Sequence, residues 1–243
     1  MNSLKEYRGK ALKNRLKDLL SKASLKEVFD LSKELEHSER ILGYLTGFFC
    51  EKDEELKWKA VILFGRLCAR LAEEDLERAR IVIRRLLWML NEESGGMAWG
   101  VPEGFAEALY HSEALKEVYI DIFISYLWDT EGTGKYKADN YLEFSPAQRG
   151  VVWGIGRLAQ KYEKDVVKAN GHEHLKKHLN SPDQVVVLLS AWALLQFSSL
   201  GSENLKSIKN SLLSISDNTN CLIFDGKNLV TLSPSFILKA LTI

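Results

Sequence analysis

Several residue types and patterns that mark common protein classes are scarce in this 243-residue sequence. Its three cysteines, Cys50, Cys68 and Cys221, are an odd number with no CxxC spacing, which argues against a disulfide framework and favours a reducing compartment. The N-terminus has no continuous apolar segment of the kind that forms a signal peptide. The most apolar run, residues 185–195, is too short for a bilayer, which needs about 20 residues. We therefore expect a cytoplasmic protein without a membrane span.

Charge of one sign is also missing, because 33 Lys and Arg residues offset 33 Asp and Glu residues. A dedicated nucleic-acid-binding protein is usually basic as a whole. The local balance differs, since residues 1–26 hold eight basic against two acidic residues, and residues 91–143 hold three basic against eleven acidic residues. The basic segment 1–26 is compatible with an amphipathic cap or with contact to nucleic acid. A nucleic-acid partner is thus expected, if at all, only through that segment.

Only four prolines are present, and three of them follow a serine, at Ser145, Ser181 and Ser233. Serine is a preferred N-cap, and proline fits the first turn of a helix because its missing N–H needs no intrahelical partner. We therefore predict that each of these serines caps a helix. Ser24 and Glu27 have the spacing of a capping box and predict a further helix start.

Four ten-residue segments of the sequence align without gaps. They are KAVILFGRLC (59–68), GVPEGFAEAL (100–109), GVVWGIGRLA (150–159) and VLLSAWALLQ (187–196). The sixth column is always large and apolar and the seventh is always Gly or Ala, which permits close approach of a neighbouring helix. The seventh column recurs at intervals of 41, 50 and 37 residues. Repeats of this length are typical of the HEAT and armadillo class, whereas an irregular helical bundle is the alternative.

The pattern predicts an all-α fold, a HEAT-like α-solenoid (an α–α superhelix) of about five helix pairs in a single domain over residues 1–243. Residues 1–24 form a basic N-terminal helix, and residues 129–144 read as an inserted loop. Two β-rich runs around Asp225-Gly226, followed by a short helix from Pro234, predict a hairpin cap over 218–243. The predicted helix pairs are 25–50, 53–72 with 75–91, 99–111 with 113–128, 146–163 with 165–179, and 182–199 with 202–214.

The most distinctive stretch is RRLLWMLNEESGGMAWGVPE at 84–103. It resembles a signature of a family of small prokaryotic HEAT-repeat proteins, and the C-terminal FDGKNLVTLS resembles the ending of that family. The family has no assigned activity, so the resemblance implies an architecture and not a reaction. The residues that carry the match are Arg84, Arg85, Trp88, Asn91, Glu93, Ser94, Gly95, Trp99, Gly100, Pro102 and Glu103.

The same stretch combines arginine, tryptophan and carboxylates. Trp88 lies one turn beyond Arg84 and is predicted to stack with it, and Glu103 is expected near the guanidinium groups. Such a cluster suits a partner-binding site, whereas a salt-bridged corner between repeats is the structural alternative. The predicted partner-binding residues are Arg84, Arg85, Trp88, Asn91, Glu93, Ser94, Trp99 and Glu103.

These observations predict a non-enzymatic protein-interaction or scaffold protein that binds an unidentified protein partner near residues 84–103. The alternative is a HEAT-like DNA glycosylase acting on alkylated bases, which the neutral charge disfavours. No catalytic residue, cofactor or metal site is predicted. His172, His174 and His178 include a metal-capable i, i+4 pair, but no second cluster of ligands accompanies them.

Overall fold

The computed structural model describes residues 4, 7–35, 37–91, 99–128, 140–198 and 201–241. Within these ranges the chain is almost entirely helical, as predicted, with one two-stranded sheet. The helices are α1 Gly9–Lys22, α2 Leu25–Glu34, α3 Glu39–Thr46, α4 Glu54–Glu74, α5 Leu76–Leu90, α6 Val101–His111, α7 Glu113–Ser125, α8 Ser145–Lys168, α9 Gly171–His178, α10 Gln184–Leu194, α11 Ser202–Ser214 and α12 Pro234–Ala240. The strands are β1 Cys221–Phe224 and β2 Leu229–Leu232.

Helices α4, α6, α8 and α10 pack side by side in a central layer, each against the next. Helices α5, α7, α9 and α11 flank this layer and connect its members. The four aligned sequence segments are the four central helices, so the repeat read from the sequence corresponds to the stacking unit. α6 is buried at every residue from Val101 to Leu109, which places it in the middle of the stack. The prediction of an α-solenoid is confirmed.

The small residues of the seventh column lie where neighbouring central helices touch. A methyl group added at Gly156 of α8 would lie 2.7 Å from Cβ of Ala193 in α10. A methyl group at Gly65 of α4 would collide with Cβ of Glu107 in α6. Close contacts of this kind leave no room for a larger side chain. Helix stacking therefore depends on this column, as the alignment predicts.

Helix starts follow the serine prediction only in part. Ser24 forms the predicted capping box with Glu27, and Ser233 caps α12. The prediction for Ser145 is wrong, because that residue is the first of α8 itself and its side chain makes no cap hydrogen bond. The prediction for Ser181 is also wrong. The carboxylate of Asp183 caps α10 instead, accepting from the N–H groups of the two valines that follow Gln184.

The fourth predicted helix pair is found with one additional interruption. The predicted boundary near residue 164 lies close to a break within α8 at Tyr162, where φ is −122° and ψ is 40°. The predicted second helix, 165–179, is interrupted at Asn170, whose left-handed φ of 60° separates the end of α8 from α9. Of the predicted inserted loop 129–144, residues 129–139 lie outside the described residues.

Helix α1 and the C-terminal hairpin pack on the helical core. α1 is amphipathic and buries Leu12, Leu16 and Leu20, as expected for a cap. The predicted hairpin forms with Cys221 opposite Leu232 and a four-residue loop from Asp225 to Asn228, so the turn is longer than the Asp-Gly pair alone. Across the described ranges, no helix is both long enough and apolar enough to cross a membrane.

Candidate partner-binding site

Three of the predicted partner-binding residues lie on the last turns of the flanking helix α5. Arg84, Arg85 and Trp88 are all exposed, and the Trp88 side chain is 67% exposed. The guanidinium of Arg84 pairs with the carboxylate of Glu77 at 2.6 Å. In place of the predicted stacking on Trp88, Arg84 forms an ion pair with Glu77, which lies seven residues, or about two helical turns, towards the start of α5.

Asn91 ends α5 and joins it to α7. Its side-chain amide donates to the carbonyl of Leu87 at 3.0 Å and to the hydroxyl of Tyr126 at 3.2 Å. This arrangement suits a structural joint between two flanking helices. Glu93 and Ser94, the next predicted site residues, lie outside the described residues.

Trp99 and Glu103 occupy a different place, at the start of α6 in the central layer. Within the described ranges, no hydrogen bond or ion pair links either residue to Arg84, Arg85 or Trp88. The ionic partner of Glu103 is Lys57 of α4, at 3.1 Å, and not an arginine of α5. The expectation that Glu103 lies with the α5 arginines is thereby corrected.

Trp99 and Glu103 line a cleft of about 360 Å³ between the central helices and the first strand of the hairpin. Trp99 is 58% exposed, and its ring lies 6.4 Å from the exposed ring of Phe144. On the α8 side, Arg149 pairs with the partly buried Asp183 at 2.7 Å. The cleft thus has an aromatic rim and walls of paired charges. It is lined by α4, α6, α8, α10 and β1, through residues that include Glu54, Lys57, Trp58, Trp153, Val185, Leu189, Asn220, Cys221 and Leu222.

The carboxylate of Glu103 is the most buried charge in this cleft, with the residue only 4% exposed. Its Oε1 atom pairs with Lys57, whereas its buried Oε2 atom packs on Gly150 and has no hydrogen-bond partner among the described residues. The ammonium of Lys57 also lies 5.2 Å from the ring centroid of Trp58. The carboxylate and the indole together therefore hold a cation at this point.

Several cleft residues were not identified from the sequence, although the alignment contained the signal. Trp58, Trp99 and Arg149 occupy one aligned column, immediately before the first, and Glu103 and Trp153 share the fourth. Residues of one column lie side by side on successive helices of a solenoid. Following these two columns would have located the cleft residues on three helices.

The hairpin lies against the central layer beside the cleft and is held through its main chain. The indole N–H of Trp58 donates to the carbonyl of Leu222, and that of Trp153 donates to the carbonyl of Phe224, each at 2.9 Å. The side-chain amide of Gln160 donates to the carbonyl of Asp225, also at 2.9 Å. Three side chains of the central helices therefore bind consecutive parts of one extended segment.

A buried ion pair lies beneath the end of β1. Glu107 of α6 and Arg157 of α8 are almost fully buried, and their Oε1 and Nε atoms are 2.5 Å apart. Burial raises the pKa of Glu107, but Arg157 and then His111 outweigh this effect and bring it down to about 2. The Arg157 guanidinium also lies 3.3 Å from the ring centroid of Tyr110 and 5.3 Å from that of Phe224. Glu107 is therefore a carboxylate at neutral pH, and its ion pair with Arg157 lies under the Phe224 ring of the hairpin.

The histidine cluster of α9 makes local contacts. Nδ1 of His178 bonds to the carbonyl of His174 at 2.8 Å, and the His174 ring lies 5.2 Å from that of Trp128. Burial, with a smaller effect of Lys177, lowers the pKa of His174 to about 4. His174 is thus neutral at pH 7.

Comparison with known proteins identifies solved structures of similar fold and one distant relative in sequence. No family model matches the chain. The chain is 33% identical over 116 residues to an uncharacterised protein of Archaeoglobus fulgidus, an alignment covering 48% of this chain and 52% of that protein. The chain thus matches about half the length of that relative. The resemblance of residues 84–103 to a family signature stays a prediction.

Solved structures with the same architecture are helical-repeat proteins. One is a designed armadillo repeat protein in complex with the peptide (KR)4, with a TM-score of 0.51, 14% sequence identity, and coverage of 95% of this chain and 90% of that chain. Another is an engineered protein, with a TM-score of 0.50, 16% identity, and coverage of 89% and 93%. At these identities the similarity shows the fold alone. The chain is an all-α helical-repeat solenoid.

Proposed function

We propose that this protein is a non-enzymatic interaction protein that binds a basic, extended segment of a partner protein in the cleft lined by Trp99 and Glu103. One observation carries the proposal. The carboxylate of Glu103 and the ring of Trp58 already hold the ammonium of Lys57, so the cleft has the chemistry to hold a lysine or arginine side chain.

The charge of the sequence segment that contains Trp99 and Glu103 supports a basic partner. Residues 91–143 hold eleven acidic and three basic residues, and an acidic segment favours association with a cationic one. The designed armadillo repeat protein with the same architecture is in complex with the peptide (KR)4. That similarity makes (KR)4 a suitable first probe for this chain.

The aromatic rim gives the cleft an apolar anchor. Trp99 and Phe144 are exposed and adjacent, and tryptophan is enriched among residues that dominate binding energy. The aliphatic stem of a lysine or arginine side chain would pack on these rings while its charged end reaches Glu103. The proposed site thus combines contact area with charge.

The remaining predicted residues form a second, separate candidate area on α5. Arg84, Arg85, Trp88 and Asn91, with Glu93 and Ser94 beyond the described residues, remain a prediction for contact with another part of a partner. Because Arg84 and Arg85 are cations, they would not favour the basic segment itself. Variants on α5 are therefore the natural comparison for variants of the cleft.

The proposal is tested by fluorescence anisotropy with fluorescein-labelled (KR)4 and, as a charge-reversed control, (ED)4. Replacing Glu103→Gln removes the negative charge with little change of shape, and we expect roughly tenfold weaker binding of (KR)4, the effect of losing one charged hydrogen bond. Trp99→Ala should weaken binding several-fold. Lys57→Met should strengthen it, because the variant removes the cation that competes for Glu103. Circular dichroism establishes that each variant is folded.

The double variant Arg84→Ala, Trp88→Ala is the matched control on α5, and it should bind (KR)4 as tightly as the unaltered chain. Equal affinity for (KR)4 and (ED)4, or no response to Glu103→Gln in a folded variant, would reject the cleft as a site for basic segments. Loss of binding in the α5 variant alone would transfer the site to α5.

A further inference from the structure

The first strand of the hairpin is bound through main-chain atoms along one edge. Asp225 N–H donates to the carbonyl of Asn228 within the hairpin, and main-chain groups alternate in direction along a strand. The carbonyls of Leu222 and Phe224 therefore point away from β2, and these are the two that accept the indole N–H groups of Trp58 and Trp153. The indole N–H groups of α4 and α8 thus take the place of the main-chain donors that a neighbouring strand would present to β1.

Binding of this type does not depend on the side chains of the bound strand. Any extended segment presents carbonyls to one edge at every second residue. Selectivity comes from the Phe224 side chain, which is fully buried. Its ring lies 6.3 Å from that of Phe29 in α2 and 5.3 Å from the Arg157 guanidinium. The surface therefore combines two indole donors, which bind main-chain carbonyls, with one aromatic pocket.

We infer that the surface formed by Trp58, Trp153 and Gln160 is a binding site for an extended segment of a partner protein, and that the hairpin fills this site in cis. The segment that fits has the chemistry of β1, with an aliphatic residue two positions before an aromatic one. This inference deepens the proposed function by adding a covered surface next to the open cleft. It rests on the proposed function in assuming that a partner protein exists. It does not require the bound segment to be basic.

The hairpin can leave this surface without dismantling the helical stack. The sheet has four residue pairs, and an isolated two-stranded hairpin is marginally stable in water. Before it, the chain is held by hydrogen bonds from Ser216 and Thr219 to the side chain of Gln184, and after it α12 packs on α10 and α11. Both anchors lie outside β1 and β2. Release of the two strands therefore leaves the central helices stacked.

The cysteines of the chain supply a direct readout of hairpin release. Cys221 is the first residue of β1, and burial raises the pKa of its thiol to about 12. Cys68 is fully buried within α4, and Cys50 is exposed. In the full chain carrying Cys50→Ser, an increase in the slow rate of reaction with a thiol reagent reports release of β1, because the seated thiol is only partly exposed and its raised pKa keeps it protonated.

The experiment adds a synthetic peptide with the sequence of residues 219–232 and serine in place of cysteine. We expect the labelled peptide to bind saturably and to increase the rate of Cys221 modification several-fold, because bound peptide keeps the hairpin displaced. Trp153→Phe, which removes the indole donor of the seated hairpin and of the peptide alike, should change peptide affinity little and should increase the rate of Cys221 modification without peptide several-fold. Phe224→Ala in the chain should strengthen peptide binding, since the competing hairpin is weakened. A peptide with alanine at the position of Phe224 is the matched control and should not bind.

Other results overturn the inference. Modification of Cys221 that follows the same urea dependence as loss of helical circular dichroism, with no effect of peptide, would mean that the hairpin opens only with the whole fold. Dimers of the full chain that the peptide dissociates would assign the site to a second copy instead of a partner protein. Failure here leaves the binding of (KR)4 and its dependence on Glu103 unchanged, so the two proposals fail separately.

Discussion

The indole N–H of Trp153 donates a 2.9 Å hydrogen bond to the carbonyl of Phe224, 71 residues further along the chain. Trp58 makes the equivalent bond to Leu222 across 164 residues, and the two indole rings lie 4.6 Å apart. Since Trp58 belongs to α4 and Trp153 to α8, the hairpin connects central helices that are separated by α6. The C-terminal strands therefore link α4 to α8 as well as covering part of the central layer.

The first prediction concerns the anchor of the hairpin. Phe224→Ala should lower the free energy of unfolding by about 3–5 kcal/mol, the range for removing a fully buried aromatic side chain. Phe236→Ala is the matched control, because Phe236 is 51% exposed in α12, and its effect should stay within about 0.5 kcal/mol. Urea unfolding followed by circular dichroism measures both. Equal effects would mean that the hairpin contributes nothing to stability.

The second prediction concerns the close approach of central helices. Gly156→Ala should destabilise the protein by about 1–3 kcal/mol, because the new methyl group meets both Ala193 and Trp192 of α10 at 2.7 Å. Gly43→Ala is the control, since Gly43 in α3 has open space around it. There alanine should stabilise by about 0.5–1 kcal/mol through its helix propensity. Urea denaturation midpoints should thus move in opposite directions, and a shift in the same direction would contradict the packing.

The third prediction separates two serines that look alike in the sequence. Ser24→Ala should cost about 1 kcal/mol, because the side chains of Ser24 and Glu27 satisfy main-chain N–H groups at the start of α2. Ser145→Ala should have almost no effect, since Ser145 lies within the first turn of α8 without a cap hydrogen bond. Thermal unfolding of the two variants makes the comparison. A larger loss of stability in Ser145→Ala than in Ser24→Ala would mean that Ser145 caps α8, as the sequence predicts.

This contrast shows what the sequence could and could not predict. The central layer was predictable because stacking requires one small residue at the same position of every repeat, and Gly65, Ala106, Gly156 and Ala193 mark it. Caps were less predictable because Asp183, two residues after Ser181, caps α10 in its place, and because α8 already begins at Ser145 with Phe144 as its N-cap. The fold thus followed from periodicity, whereas helix ends depended on local competition.

The candidate site was predictable only in part for a different reason. Residues 84–103 are continuous in sequence, but the described part of this segment divides between α5 and α6, so Trp88 and Trp99 belong to different layers. Lys57, which pairs with Glu103, is 46 residues away. A cleft built from four helices and a distant strand has no local sequence signature. Only the aligned columns connect its members.

The fourth prediction is a pH dependence caused by His174. Burial, and then the nearby Lys177, lowers its pKa from 6.5 to about 4 in the folded state. The unfolded chain therefore binds this proton first as the pH falls, so stability should decrease between about pH 6.5 and 4 by on the order of 1 kcal/mol. His174→Gln should remove that decrease, and His172→Gln in the same helix should retain it. Urea unfolding at pH 7 and pH 5 measures the difference.

The fifth prediction concerns the buried pair of Glu107 and Arg157. Glu107→Gln removes the anion and leaves a nearly fully buried guanidinium without its counter-charge, which should cost about 3–5 kcal/mol. Asp30→Asn is the control, because Asp30 and Lys33 form a single exposed ion pair at 3.2 Å, and exposed pairs of this kind contribute little. Urea unfolding at pH 7 should show a large effect only at Glu107.

Acid titration gives an independent test of the same pair. The folded pKa of Glu107 is about 2, against 4.5 for the ordinary carboxyl group, so the stability that it contributes is complete above pH 4.5 and is lost as the pH falls towards 2. The slope of the free energy of unfolding in this range should be reduced in Glu107→Gln. The double variant Glu107→Leu, Arg157→Met should recover much of the stability at pH 7, because an apolar pair of similar size has no charge to bury. If the double variant is less stable than Glu107→Gln, the pair is required for the fold through its geometry, since Arg157 also packs on Tyr110 and Phe224.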